Sequence, residues 1–205
     1  KTSNKSVAPE KKESLVMKTL GGRQFWGDVE YFHDWRIQRN IFTGHCRLLD
    51  GSNHRHTWGT LEECRKHLAG VRKEKKLPPM TGKAVVVVHG IVRSSQSFGA
   101  MRVALEKSGY KVFGFDYPST QVKIPDAAEY LHQCLQSLEG IEEVNFVVHS
   151  MGGLVVRSYL ASHQDERIRR MVMLGVPNKG AELADMLRRN FLFRMVYGPA
   201  GQQLV

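Results

Sequence analysis

From residue 84 onward, apolar residues come in short runs that alternate with amphipathic stretches. Ala84-Val85-Val86-Val87-Val88 is unbroken and β-branched, which suits a strand covered on both faces. Phe98, Met101 and Leu105 then recur at helical spacing, and Lys111 to Phe115 reads as a second strand. Ala127, Leu131, Cys134, Leu135 and Leu138 share one face of a further helix. Val144 to Val148 reads as a third strand and Arg170 to Leu174 as a fourth. Between them, the helix from Leu154 to Leu160 is apolar on most faces and should be central and buried. Strands alternating with helices predict an α/β domain over 83–205, a mostly parallel sheet with helices on both faces.

The front of the chain is patterned differently. Lys1 to Glu13 is polar and aperiodic, which predicts a disordered lead-in over 1–13. Residues 14–82 read as a hairpin followed by a helix. Aromatic and β-branched residues gather between Glu30 and Asp50, with turn-prone pairs at Arg39-Asn40 and Thr43-Gly44. Thr60-Leu61-Glu62-Glu63 has the form of a capping box that opens a helix running to about Arg72. Leu77-Pro78-Pro79 then breaks the chain before the α/β part.

The 205 residues are enough for one sizeable core. No stretch reaches the roughly 18 apolar residues of a membrane span, and no signal-peptide pattern is present. Three cysteines, Cys46, Cys64 and Cys134, are too few and too odd for a disulfide framework, which suits a reduced setting, the cytoplasm by default. The net charge of +10 is uneven: residues up to Lys83 carry 17 Lys and Arg against 9 Asp and Glu. The surplus therefore lies ahead of the α/β part. Its densest run, Arg72-Lys73-Glu74-Lys75-Lys76, reads as a solvated helix end, with contact to an anionic membrane surface as the sharper alternative and no nucleic acid expected.

The chemistry sits in Val147-Val148-His149-Ser150-Met151-Gly152-Gly153-Leu154. A strand precedes it and a helix follows, so Ser150 stands at a sharp turn above the end of the sheet. The first helical N–H groups lie free beside its hydroxyl. Gly152 and Gly153 permit the cramped turn. The first strand of the α/β part ends in His89-Gly90-Ile91, and the fourth in Gly175-Val176-Pro177-Asn178-Lys179-Gly180. Both loops fall on the carboxyl edge of a parallel sheet, where ligands gather.

In these three motifs, their order and their spacing, the chain resembles the α/β-hydrolase family, and most closely its lipase and esterase-like branch. The resemblance covers about Lys83 to Val205. The family's elbow is usually G-x-S-x-G; here Val148 stands where the first glycine would be. The resemblance implies an incomplete α/β-hydrolase fold with Ser150 as nucleophile and the N–H groups of Ile91 and Met151 as oxyanion donors. His89, Gly90, His149, Gly152 and Gly153 would support the elbow and loop. It implies a serine esterase acting on small acyl or lipid esters, with no cofactor.

The family's acid and histidine follow the serine on later strands. Here the one histidine after Ser150 is His163, 13 residues on, near the far end of the same helix. A rise of ~1.5 Å per residue puts it roughly 20 Å away, and a general base must lie within about 3 Å. Glu182 and Asp185 read as caps of a helix starting near Ala181. The expectation is a chain that stops before the family's last strands and turns over little substrate by itself. Other classes stay open: an acyltransferase or thioesterase using the same serine, or a non-catalytic interaction module of similar shape. Zinc binding is a further reading, from His45, Cys46, His54, His56, Cys64 and His67.

Overall fold

The computed structural model describes residues 17–18 and 23–177. The lead-in over 1–13, residues 178–180 of the loop 175–180, and Glu182 and Asp185 lie outside the described residues. Between Met17 and Gly59 the chain forms not one hairpin but a five-stranded antiparallel sheet. Its strands are β1 (Met17–Lys18), β2 (Trp26–Phe32), β3 (Trp35–Asn40), β4 (Cys46–Leu49) and β5 (His54–Gly59). The expected hairpin is the β3–β4 pair, which turns at 41–45. Two further turns connect the remaining strands. His33 takes a φ of 48° between β2 and β3, and the Asp50 carboxylate caps the β4–β5 turn by accepting from the Ser52 and His54 N–H groups. β5 lacks an apolar alternation because its residues are only partly buried.

Helix α1 (Leu61–Glu74) follows, opened by the capping box. Glu63 N–H donates to Thr60 Oγ1 while Thr60 N–H donates to the Glu63 carboxylate. The basic run at the end of α1 is not wholly solvated. The Arg72 guanidinium lies 3.9 Å from the centre of the Phe32 ring, and Lys75 Nζ 5.7 Å from that of Trp35.

The valine run becomes β6 (Gly82–Val88), followed by α2 (Gly99–Lys107), β7 (Lys111–Phe115), α3 (Ile124–Ser137), β8 (Ile141–His149), α4 (Met151–Ser162) and β9 (Ile168–Leu174). The four strands form a parallel sheet in the order β7-β6-β8-β9. Register aligns their ends: Val88 pairs with Phe115 on one side and Val148 on the other, and Val148 pairs with Met173. Helices cover both faces, as expected. Ala84, Val86 and Val88 face α3 and α4, while Val85 and Val87 pack with Phe98, Met101 and Leu105 on the other face. All five apolar positions expected on α3 are buried, as are Met151, Val155, Val156 and Tyr159 of α4.

The two sheets share a core, because α3 packs on β2 as well as on α4. Gly27 in β2 makes this contact possible: a Cβ there would lie 2.7 Å from the Tyr130 ring. A buried polar network joins the sheets beside it. The two main chains meet where Asp28 N–H donates to the Asp116 carbonyl at 2.8 Å. The Asp28 carboxylate accepts from Tyr31 Oη, Gln38 Nε2 and the Asp116 N–H at 2.7–2.8 Å. Arg36 Nη1 donates to Asp116 Oδ2 at 2.8 Å and lies 3.6 Å from Asp28. Arg47 caps the set by donating twice to Gln38 Oε1.

Two carboxyls thus face one guanidinium. Burial, reinforced by the Asp116 charge, pushes the Asp28 carboxyl up from 3.8 to about 6. Burial pushes Asp116 up as well, but the Arg36 charge, with hydrogen bonds from Arg36 and the Ser95 N–H, holds that carboxyl low. A raised carboxyl pKa means that the fold binds this proton more readily than the unfolded chain. The charge on Asp28 therefore opposes folding above about pH 6, and that opposition is relieved as pH falls from about 6 toward 3.8. We expect Asp28→Asn to destabilise the protein by about 1–3 kcal/mol at pH 7, because its amide turns donors onto donors. Urea melts at several pH values should show the wild type gaining on the variant as pH falls through that window.

Candidate active site at the carboxyl edge

Aligned strand ends bring three loops to one edge of the parallel sheet. The β8–α4 turn has Ser150 at its apex, with φ 51° and ψ −126°, a left-handed conformation costing about 1–3 kcal/mol in a residue other than glycine. Ser150 N–H donates to the Leu174 carbonyl at the end of β9, 3.0 Å away, and the Ser150 carbonyl accepts from Gly153 N–H at 3.0 Å. These bonds hold the turn closed. Its side chain is partly exposed.

Three glycines let the backbones approach. A Cβ on Gly152 would lie 2.5 Å from the Val88 carbonyl oxygen and 2.7 Å from that of His89. One on Gly153 would lie 2.5 Å from the Val176 side chain, and one on Gly90 would lie 2.9 Å from Ser150 Cβ and 3.1 Å from His149 Nδ1. The structure therefore brings Gly90, His149, Ser150 and Gly152 together. Met151 is buried as the first residue of α4, and Ile91 follows Gly90. Among the described residues, neither the Ile91 nor the Met151 N–H donates to a backbone or side-chain acceptor.

His89 is buried under this edge, and burial pulls its pKa down, so the ring is neutral at pH 7. Its Nδ1 lies 2.7 Å from the Gly90 carbonyl and so carries the proton, while Nε2 accepts weakly from Tyr117 N–H at 3.4 Å. In a trans peptide the N–H points opposite to the C=O. By holding the Gly90 carbonyl, His89 fixes the direction of the Ile91 N–H. His149 is exposed. His163 caps the far end of α4, accepting nothing from Ser150; its Nε2 lies 2.8 Å from Glu129 Oε1 and its ring stacks on His132. No hydrogen bond joins Ser150 Oγ to a histidine among the described residues.

Sequence reasoning missed Val92, Asp116, Tyr117 and Ser119. Val92 is exposed and β-branched yet has a φ of 60°, an outlier for its type. It lies two residues from Gly90, so two strained residues stand on the two loops that meet there. A β-branched residue gives no sequence signal for a left-handed turn. A cleft of about 660 Å³ opens beside this loop, lined among others by Phe25, Arg47, His89, Val92, Arg93 and Tyr117. Ser150 does not line it, nor does it line a second cleft of about 640 Å³ around Trp35, Asn53 and Arg102. The zinc reading finds no geometry: among the described residues, no three His, Cys, Asp or Glu are grouped to hold a metal ion. His54 and His56 instead bracket the Asp50 carboxylate.

A family described as a domain of unknown function (DUF7379) matches residues 50–198, and the chain belongs to that family. The chain is 30% identical over 115 residues to a triacylglycerol lipase of Pseudomonas fragi, covering 53% of this chain and 39% of the lipase. It is 26% identical over 144 residues to the human lysosomal thioesterase PPT2, covering 59% of this chain and 45% of that protein. The chain thus spans less than half the length of these curated relatives. Among solved structures it is similar to an esterase from Exiguobacterium antarcticum, at 21% identity and a TM-score of 0.47, covering 53% of this chain and 47% of the esterase.

Strain and close approach make opposite predictions. Ser150→Gly should raise stability by about 1–2 kcal/mol by removing a side chain from a left-handed position. Gly90→Ala should lower it by about 1–3 kcal/mol, since its Cβ has nowhere to go. Guanidinium melts of the two variants at one pH are the check, and a stabilised Gly90→Ala would contradict the packing.

Proposed function

We propose that this member of the DUF7379 family is a serine hydrolase that cleaves carboxylic esters through an acyl-enzyme on Ser150. The observation that carries the reading is the backbone of Ser150. A serine with φ 51° is held at a strand-to-helix turn, against Gly90, and the Ile91 N–H that follows donates to no acceptor among the described residues. Backbone strain of this kind persists where function keeps it. The similarity to a lipase and to a thioesterase supports acyl chemistry and leaves the choice between oxyester and thioester to experiment.

In this reading Ser150 Oγ attacks the acyl carbon, and the oxygen of the tetrahedral intermediate takes hydrogen bonds from Ile91 and Met151 N–H. Collapse expels the alcohol or thiol, and water releases the acid from Ser150. Both donors are main-chain groups, Met151 at the start of α4 and Ile91 in the β6–α2 loop, aimed before charge develops. The attacking hydroxyl still needs a base. His89 cannot serve: its Nδ1 proton is committed to Gly90, its Nε2 faces Tyr117 N–H, and it is buried.

The whole protein, treated with a fluorophosphonate, is expected to carry the label on Ser150. Ser150→Ala should abolish labelling and lower ester hydrolysis by more than about a thousandfold. Wild type that takes no label, or a variant that keeps its activity, would exclude the acyl-enzyme and favour the non-catalytic module. Matched oxyester and thioester substrates with the same acyl group then separate esterase from thioesterase.

A further inference from the structure

The loop after β6 carries a strained Val92 and is held almost wholly by one neighbour, the loop after β7. Ser119 Oγ accepts from Val92 N–H at 3.1 Å, Asp116 Oδ1 accepts from Ser95 N–H at 2.7 Å, and Tyr117 Oη donates to the His89 carbonyl at 2.8 Å. Gly90–Ile91, the peptide that supplies the outer oxyanion donor, lies between the Tyr117 and Ser119 contacts. Ser119 is buried, and its own N–H closes a tight turn onto the Tyr117 carbonyl at 2.7 Å. Its hydroxyl is thereby fixed toward Val92. Asp116 is fixed in turn from the antiparallel sheet, by Arg36 of β3 and by the Asp28 carboxylate of β2, which accepts its N–H.

We infer that the β7–α3 loop, braced by Arg36 and Asp28 of the antiparallel sheet, clamps the β6–α2 loop in its reactive shape, with Ser119 as the positioning residue for the Ile91 N–H. This rests on the acyl-enzyme reading of Ser150. The physical case is the strain at Val92. A β-branched residue at φ 60° relaxes to negative φ by rotating the peptides on either side of it unless hydrogen bonds hold them. The Ile91–Val92 peptide adjoins the one whose N–H faces the site. Removing the Ser119 oxygen frees the Val92 N–H, and the relaxation tilts the Ile91 N–H off the position where the oxyanion forms. Ser119 touches neither substrate nor nucleophile. It acts through the shape of the loop, which makes the antiparallel sheet part of the catalytic scaffold and not an appendage to it.

The test is Ser119→Ala in the whole protein, assayed on a short-chain p-nitrophenyl ester and titrated with an alkyl boronic acid, whose tetrahedral adduct occupies the oxyanion position. We expect kcat to fall by about tenfold, less than the loss from deleting a donor outright. KM should stay within about twofold, and boronic acid affinity should fall by the same factor as kcat. Ser119→Thr keeps the oxygen and should restore both. Val92→Gly accepts φ 60° without strain and removes the drive to relax, so in that background Ser119→Ala should cost little kcat. A Ser119→Ala protein with wild-type kcat and boronic acid affinity would overturn the clamp, as would equal losses in the Ala and Thr variants. Those outcomes count when Ser150→Ala is inactive. An active Ser150→Ala protein would instead remove the acyl-enzyme reading, and the clamp with it.

Discussion

Everything at the carboxyl edge depends on how closely the first turn of α4 approaches the end of β6. The Gly152 Cα lies where a Cβ would meet two carbonyl oxygens, those of Val88 and His89, within 2.7 Å. No side chain fits there. That contact sets the height of α4 above the sheet, and hence the position of Ser150 at its N-terminus. It also forces the chain to turn from β8 into α4 over a single residue, which is why Ser150 adopts φ 51°. The strain at the serine thus follows from packing between strand and helix. The Leu174 carbonyl, which accepts the Ser150 N–H, pins the turn from the opposite strand.

Most of the α/β part was legible because its signals are redundant. The valine run, the five-residue stripe on α3 and the apolar α4 each announce both their type and their place. The strand-to-helix turn at Ser150 was legible for the same reason: a serine between an apolar strand and two glycines that open an apolar helix marks such a turn. The antiparallel sheet was only half legible. Trp26-Gly27-Asp28 reads as a loop, since glycine and aspartate are poor strand residues. Here Gly27 makes room for Tyr130, and Asp28 is buried among donors supplied from three elements. A single sequence shows the polar residue and not the partners that let it be buried. Val92 and Ser119 were illegible for a related reason. Their roles come from a contact 27 residues apart in sequence, between a residue whose type argues against its conformation and a serine that looks like any other in a loop.

The network at Asp28 poses an energetic question. Two carboxylates, two guanidiniums, an amide and a phenol lie between the sheets, Arg36 and Asp116 partly buried and the others buried, where leucines and valines would pack. Desolvating such groups offsets most of the attraction they regain, so their net contribution to stability is small. The raised pKa of Asp28 records the same imbalance, one guanidinium being shared by two carboxyls. What the network supplies instead is direction. Apolar surfaces tolerate a slide of an ångström or rotation by several degrees, since dispersion falls off smoothly with displacement. A carboxylate bound by three donors at 2.7–2.8 Å tolerates neither.

That difference matters because the antiparallel sheet holds Asp116, whose carboxylate in turn accepts the Ser95 N–H of the β6–α2 loop. Asp116 is the last ordered step between Arg36 and the Ser95 N–H, so any play between the sheets is transmitted to the loop that carries Ile91. An oxyanion donor works only if it is aimed before the charge forms, and a displacement of about 1 Å loses much of its effect. Apolar packing alone would hold the two sheets together and leave that aim loose. These ions give up some stability for a fixed angle, and under the acyl-enzyme proposal that angle is what the Ile91 N–H requires.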